Sequence, residues 1–304
     1  MNGRQVAVTR FAVALASLVT VASLTGCKSG PKVGYGAKWW PFKKGKIVDL
    51  TNPAAVRARR PLLIAHRGGV VTAQAPECSL AAIRLAAAHG YDMVELDIQE
   101  AQDKQPVIFH DERMLEACGI DQAIRDLASR ELTRIYFRGT GERIVHLADA
   151  LALCKSLNLG VMLDIKTFKD QPESEEFFKT IAQLLDKHGF AHATVMLGQH
   201  PMAMKHLTGK TLIMVSKQEL DRVMRGESVP LHEKFWFGIP QRLPEGAIKP
   251  LQRNGALVIP AINTFRYPAE NHLELARQDI ERLLAEGVEG FQIDSVYEGN
   301  FRRK

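Results

Sequence analysis

The chain has 304 residues, 46% of them hydrophobic and 24% charged, with a formal net charge of +6. Such a composition is ordinary for a globular protein with a sizeable core, and the length suits one large domain or two modest ones. Beyond residue 26 no stretch is apolar for long enough to span a bilayer. The basicity is mild: without Arg4 and Arg10, 38 basic residues face 34 acidic ones. With no basic run and no nucleic-acid motif, this argues against nucleic acid and leaves anionic lipid or phosphate-bearing substrates open.

Residues 1–26 read as an export signal: Arg4 and Arg10 precede a nearly unbroken apolar stretch, 11–24, without acids. It ends in Leu24-Thr25-Gly26-Cys27, which resembles the lipobox of bacterial lipoproteins. That resemblance implies cleavage before Cys27, lipidation of its thiol and a membrane anchor on the cell envelope, facing the periplasm or the cell surface. Residues 27–60 then read as a lipidated cysteine and tether, rich in Lys, Gly and Pro and without sustained periodicity. Trp39-Trp40-Pro41-Phe42 beside Lys43-Lys44 suits either a lipid headgroup layer or the underside of the domain. Of the remaining cysteines, Cys154 falls in an apolar helical pattern, whereas Cys78 and Cys118 lie in loops that a disulfide can join in an oxidising compartment.

From residue 61 to the end, 61–304, strands alternate with helices. Short apolar runs at 62–65, 93–98, 161–165, 194–197, 211–215, 235–239, 256–260 and 290–293 predict eight strands. Helical patterns at 79–89, 147–157, 173–188 and 270–286 separate several of them, with Ser79 as an N-cap and Gly90 as a stop. Eight such alternations predict an α/β fold with a closed (β/α)8 TIM barrel. An open doubly wound sheet competes, but Gly68-Gly69 leads into a loop with Pro76 and not into a helix. Residues 111–146 form the longest departure, an insertion between the second and third strands.

The chemistry gathers at strand ends. The first strand runs into His66-Arg67-Gly68-Gly69, a titratable ring beside a guanidinium suited to phosphate. In Val94-Glu95-Leu96-Asp97-Ile98, the alternation of a strand puts Glu95 and Asp97 on one face and the aliphatics on the other. Two inward carboxylates in a barrel call for compensation, and one divalent cation, Mg2+ or Ca2+, supplies it with oxygen ligands. Leu163-Asp164-Ile165-Lys166 repeats the device, so Asp164 completes a Glu-Asp-Asp set and Lys166 neutralises a phosphoryl oxygen or a carboxylate. The run 107–109 ends in His110-Asp111, a second imidazole; with His66 it makes an acid–base pair about a phosphate. Gln199, His200, Gln241, Arg242 and Asn263 follow later strands and are weaker candidates for a pocket lining.

Taken in order, His66-Arg67-Gly68-Gly69, Ala75-Pro76-Glu77, Glu95-Leu96-Asp97, His110-Asp111 and Leu163-Asp164-Ile165-Lys166 resemble the signature of the glycerophosphodiester phosphodiesterases. The likeness spans about 61–295, with Gly287-Val288-Glu289-Gly290 and Asp294 similar to that family's last strand. It implies metal-dependent hydrolysis of glycerophosphodiesters to glycerol phosphate and an alcohol. In those terms His66 and His110 are the acid–base pair, and Glu95, Asp97 and Asp164 the metal ligands. Arg67 and Lys166 hold the phosphate, with Glu77 near the metal and the first histidine. The chain departs from the pattern at Cys78 and Ser79, where the family usually has Asn and Thr, and at Asp164, commonly Glu. A tryptophan often present on strand seven aligns with Pro260. A phospholipase D-like enzyme acting on lysophospholipids or sphingomyelin is the closest rival, because the sphingomyelinase-type phospholipases D resemble the same ligand set and histidine pair. A non-catalytic lipoprotein binding a polyol phosphate is the rival from another class.

Overall fold

The alternation of apolar strands with amphipathic helices closes into a barrel because each strand has two faces to bury. The computed structural model describes residues 45–168 and 172–301. The signal segment 1–26, Cys27 and the aromatic run 39–42 lie outside the described residues. Ten strands form one sheet: β1 (Leu62–Ala65), β2 (Met93–Glu100), β3 (Pro106–Ile108), β4 (Val145–His146), β5 (Gly160–Ile165), β6 (Thr194–Met196), β7 (Leu212–Met214), β8 (Lys234–Gly238), β9 (Leu257–Ile262) and β10 (Gly290–Ile293). Eight of them, β1, β2 and β5 to β10, pair in parallel in chain order, and β1 joins both β2 and β10. This is the expected (β/α)8 barrel, with strands within a residue or two of the expected positions.

Strand alternation divides the barrel's inside from its outside. Leu62, Ile64, Met93, Met162, Val195, Leu212, Phe235 and Ile259 pack together in the lumen. Their neighbours Leu63, Val94, Leu96, Val161, Leu163 and Phe291 belong to the larger core under the helices. Along β2 the lumen face therefore reads Met93, Glu95, Asp97, apolar at the floor and acidic toward the strand's C-terminal end. Among the described residues no helix is long and apolar enough to cross a membrane.

One region departs from the sequence reading, and a second lies where expected but carries more structure than the sequence showed. Residues 45–60, taken there as the end of a tether, instead close the barrel floor. Asn52 caps the helix Pro53–Arg59 by accepting from the backbone N–H of Ala54 and Ala55. Leu50 and Val56 are buried in the lumen cluster, and Arg59 pairs at 2.6 Å with the buried Asp92. The pattern was hidden because so short a helix buries a single side chain, Val56. The second region is the insertion 111–146. Strand β3 runs antiparallel beside the outer half of β2 and β4 antiparallel beside β3, and the segment has its own small core. Phe109, Met114, Ile124, Leu132, Phe137 and Ile144 fill it, with Phe109 and Phe137 stacked at 5.8 Å.

The candidate disulfide does not form: Cys78, Cys118 and Cys154 are all free thiols. Cys78 is buried and bonded to Asp97, whereas Cys118 is half-buried in the insertion beside Arg138, where burial pushes its thiol up to about 11. Cys154 is core, as its helical pattern indicates, and burial lifts its thiol to about 12.

The seam where β10 meets β1 depends on Gly290. A Cβ there would fall 2.6 Å from the carbonyl oxygen of Leu62. Gly290→Ala should cost about 1–3 kcal/mol, read as a lowered urea midpoint, while Gly299→Ala, where a methyl meets open space, should stay within about 0.5 kcal/mol. Equal effects would show that the seam has room to spare.

Candidate active site

Two loops interlock at the barrel mouth before any chemistry is possible there. The chain leaves β1 through Arg67, Gly68 and Gly69 with φ of +52°, +81° and +145°. Cys78 of the returning loop is also left-handed, at φ +56°. The backbone N–H of Cys78 donates to the Arg67 carbonyl at 2.9 Å, and that of Gly68 to the Glu95 carbonyl at 2.6 Å. Side chains do not fit at either glycine: a Cβ on Gly68 would meet the Cys78 backbone at 2.8 Å, and one on Gly69 the Ala82 carbonyl oxygen at 2.2 Å. The glycines thus hold His66 and Arg67 against the end of β2.

Beneath this loop three carboxylates face one another. Ligand oxygens of Glu95, Asp97 and Asp164 lie within 4.8 Å of each other. Asp97 and Asp164 are direct neighbours in the β2–β5 register. Lys166 spans them, its ammonium 2.8 Å from Asp97 Oδ1 and 2.6 Å from Asp164 Oδ2. Asp97 Oδ2 accepts from the Cys78 thiol at 3.3 Å, and Glu95 Oε2 from the Arg67 backbone N–H at 2.6 Å. Glu95 Oε1, buried, has no hydrogen-bond partner. Burial, then the charges of Asp97 and Asp164, push the Glu95 carboxyl well above the usual range. Burial opposes the charge on Lys166, but the two aspartates outweigh it and hold the ammonium above the usual lysine range. A cluster of hard oxygen donors with one buried oxygen unsatisfied fits a divalent cation such as Mg2+ or Ca2+.

Each histidine leans on a carboxylate. His66 Nδ1 lies 2.6 Å from Asp294 Oδ1, while Asp294 Oδ2 accepts from the backbone N–H and hydroxyl of Thr264. His110 Nδ1 lies 2.7 Å from Asp111 Oδ1 and 4.0 Å from Glu77 Oε1. A carboxylate at Nδ1 fixes the proton there and leaves Nε2 for the cavity. Glu77 holds Arg67 by accepting from its guanidinium at 2.8 Å. Glu77, His110 and Asp111 also cluster closely enough to share an ion, but Glu77 and the histidine already have these partners.

A cavity of about 330 Å3 opens above the carboxylates, lined among others by His66, Arg67, His110, Asp164, Lys166 and Arg242. Glu95 and Asp97 are buried below it, and Glu77 lines the groove alongside. Asn263 also lines the cavity, whereas Gln199 donates to the Met214 carbonyl, His200 stacks on Phe178 and Gln241 bonds Asp279. Aromatic lining comes from Phe237 and Phe265, while Pro260 is not part of it. Sequence reasoning missed the support roles of Asp294 and Asp111, and the lining residues Gln292 and Phe265. Gln292 had a signal, because it is polar at an inward position of β10, as Glu95 and Asp97 are on β2. Asp294 stood directly after the last strand, but its partner lies 228 residues away.

The model of the glycerophosphoryl diester phosphodiesterase family matches residues 66–230. A rat glycerophosphodiester phosphodiesterase is 28% identical over 183 residues, 57% of this chain and 54% of the relative, so the chain spans about half the length of the first curated relatives it matches. A glycerophosphodiester phosphodiesterase of Caldanaerobacter subterraneus is 25% identical over 250 residues, 77% of this chain and 94% of the relative. Among solved structures, an Oleispira antarctica phosphodiesterase in complex with the product sn-glycerol-3-phosphate superposes with a TM-score of 0.62 at 19% identity, covering 81% of this chain and 98% of that one. At that identity the likeness speaks for the fold.

The Asp294–His66 pair has a pH signature. Burial acts upward on Asp294, but the bond and charge of His66 and the two Thr264 donors outweigh it and hold the carboxyl below the usual aspartate range. A lowered carboxylate stabilises the fold above the ordinary aspartate pKa of about 3.9, and loses that contribution as pH falls through its folded value. The Tm of Asp294→Asn should lie furthest below that of the unaltered chain near neutrality, and the gap should narrow below about pH 3.9. A gap independent of pH would sink this account.

Proposed function

We propose that this chain, which belongs to the glycerophosphoryl diester phosphodiesterase family, hydrolyses glycerophosphodiesters to glycerol phosphate and an alcohol in the cavity at the barrel mouth. The observation that carries the reading is the convergence of two carboxylate-oriented imidazoles, a guanidinium, an ammonium and a carboxylate trio on that one site. His66 and His110 divide the proton work. One accepts the proton of the attacking water, or of a neighbouring substrate hydroxyl whose cyclic phosphate water then opens, and the other donates to the departing oxygen, each through the ring nitrogen that its carboxylate leaves free. Arg67 and Lys166 bind the phosphoryl oxygens, with Glu77 fixing the guanidinium plane. A divalent cation held by Glu95, Asp97 and Asp164 would supply further positive charge for those oxygens. The shorter Asp164 draws that ligand position back toward β5, which bears on the choice between Mg2+ and Ca2+. Asp294 and Asp111 act through the histidines as positioning residues.

We also read the chain as exported and held to the cell envelope through a lipid on Cys27, which brings it near phospholipid-derived diesters. The Leu24-Thr25-Gly26-Cys27 run supports this. Cys27→Ser should move the protein from the membrane fraction to the soluble fraction, and continued membrane association would end the lipid-anchor proposal.

The test of the chemistry is turnover of glycerophosphocholine with and without EDTA. His110→Ala should lower kcat by about 10²-fold or more without a change in Tm, and Asp97→Ala should lose cation affinity in calorimetry. Full activity in the first variant would remove the acid–base role, and unchanged affinity in the second would remove the ligand assignment.

A further inference from the structure

The turn that carries His110 lies between β3 and the insertion and has no regular structure of its own. Its backbone carbonyls at Phe109, His110 and Asp111 converge on one point. There the side-chain amide of Gln99 donates to them, through Nε2, at 2.8, 3.3 and 2.7 Å. Among the described residues no other hydrogen bond reaches these three oxygens. Gln99 is 2% exposed, so neither the amide nor the carbonyls can turn to bulk water instead. The amide can face only one way, because turned over it would set its own oxygen against three acceptors.

Gln99 belongs to the strand that bears two of the three clustered carboxylates. On β2 it stands on the same face as Glu95 and Asp97, two residues beyond the second. One side chain therefore ties the carboxylate strand to the imidazole turn. Other contacts bring the turn near without fixing His110. Pairing of β3 with β2 delivers the chain to this end of the barrel, and the Phe109 N–H donates to the Asp97 carbonyl at 3.0 Å. Neither contact holds the backbone at 110 and 111.

The ring's own partner cannot replace the clamp. His110 Nδ1 lies 2.7 Å from Asp111 Oδ1, but Asp111 is part of the same turn and moves with it. Glu77 of the neighbouring loop, 4.0 Å from that nitrogen, is beyond hydrogen-bond reach. Asp111 thus sets the ring relative to the turn, and Gln99 sets the turn relative to Glu95 and Asp97. Without the amide, three buried carbonyls lose their donor and the turn must re-seat to find others. A displacement of about 1 Å at a reacting group costs on the order of 10²-fold in rate.

We propose that Gln99 is a positioning residue for phosphodiester cleavage, fixing the distance between His110 and the carboxylate trio and acting on turnover through His110. The inference rests on the acid–base role of His110 argued above.

The experiment is a double-mutant cycle on glycerophosphocholine turnover with Gln99→Met, which keeps the length of the side chain and removes both N–H donors. In the unaltered background kcat should fall about 10-fold to 10²-fold, with KM and Mg2+ affinity within about twofold of the unaltered chain. In His110→Ala the same change should lower kcat by less than about twofold, because the ring it positions is gone. Gln252→Met is the control. That amide also clamps a backbone carbonyl, of Gly287 at 2.7 Å, and the Glu289 carboxylate at 2.9 Å, but at the start of β10, away from the site. It should lower Tm and leave kcat unchanged. Equal losses of kcat in both backgrounds, or a loss of Mg2+ affinity matching the loss of kcat, would overturn the proposal and leave Gln99 a role in the fold only. If Gln99→Met does not fold, Gln99→Asn, which draws the amide back by one methylene, goes through the same cycle with the same two outcomes. Histidine ring resonances in NMR, assigned with His110→Ala, give a reading independent of turnover. Those of His110 should move in the Gln99 variant while those of His66 stay in place, and unmoved His110 resonances would also overturn the clamp. If the unaltered chain cleaves no diester, the phosphodiesterase reading fails, and the ring resonances decide the clamp separately.

Discussion

Three carboxylates on adjacent strands of a closed barrel repel one another, and two of them, Glu95 and Asp97, are buried where water cannot relieve them. Asp97 and Asp164 are direct cross-strand neighbours, and Glu95 stands one lumen position below Asp97. Like charges so placed are destabilising unless each oxygen is met by a donor or a cation. Most of the surrounding structure serves that requirement. Lys166 bridges two of the carboxylates, the Cys78 thiol and the Arg67 backbone N–H take one oxygen each, and one Glu95 oxygen is left over. On the proposed reading, the leftover oxygen is where a divalent cation would sit.

The loop geometry follows from the same need. To deliver the Arg67 N–H to Glu95 and the Cys78 thiol to Asp97, two loops must cross at backbone contact, which excludes a side chain at Gly68 and Gly69. The crossing also aims His66 at the cavity and places Arg67 within reach of Glu77. Cys78, where an amide is usual in the family, still supplies a hydrogen-bond donor to Asp97, though a weaker one. Buried among three carboxylates, its thiol is driven well above the ordinary range, so it stays protonated and remains a donor.

The barrel separates stability from chemistry along its axis. The floor is closed by aliphatic side chains and by the segment 45–60, which presses Leu50 and Val56 into the lumen. The mouth carries the polar layer: Glu95, Asp97, Asp164, Asn263 and Gln292. The insertion after β3 has a core of its own, and Gln99 of β2 ties it to the mouth by donating to the backbone carbonyls of Phe109, His110 and Asp111.

How much of this was legible beforehand follows from the range of the interactions involved. The strands, the helix with Ser79 and Gly90 as ends, and the inward face of Glu95 and Asp97 were set by period-two and helical patterning, which act between near neighbours. The order of the short motifs gave the family and hence the acid–base and ligand candidates. Three things escaped. The helix Pro53–Arg59 was too short to leave a pattern, and the Cys78–Cys118 bridge was plausible only until Cys78 was found turned inward onto Asp97. Asp294 meets His66 only because barrel closure brings β10 beside β1. By itself the sequence determined which residues carry charge, which face of each strand they share and which loops must contain glycine. Only the tertiary structure decided which carboxylate orients which histidine and which polar groups are already engaged. Those contacts join residues far apart in the chain, and nothing in local spacing encodes a distance that exists only once the barrel has closed.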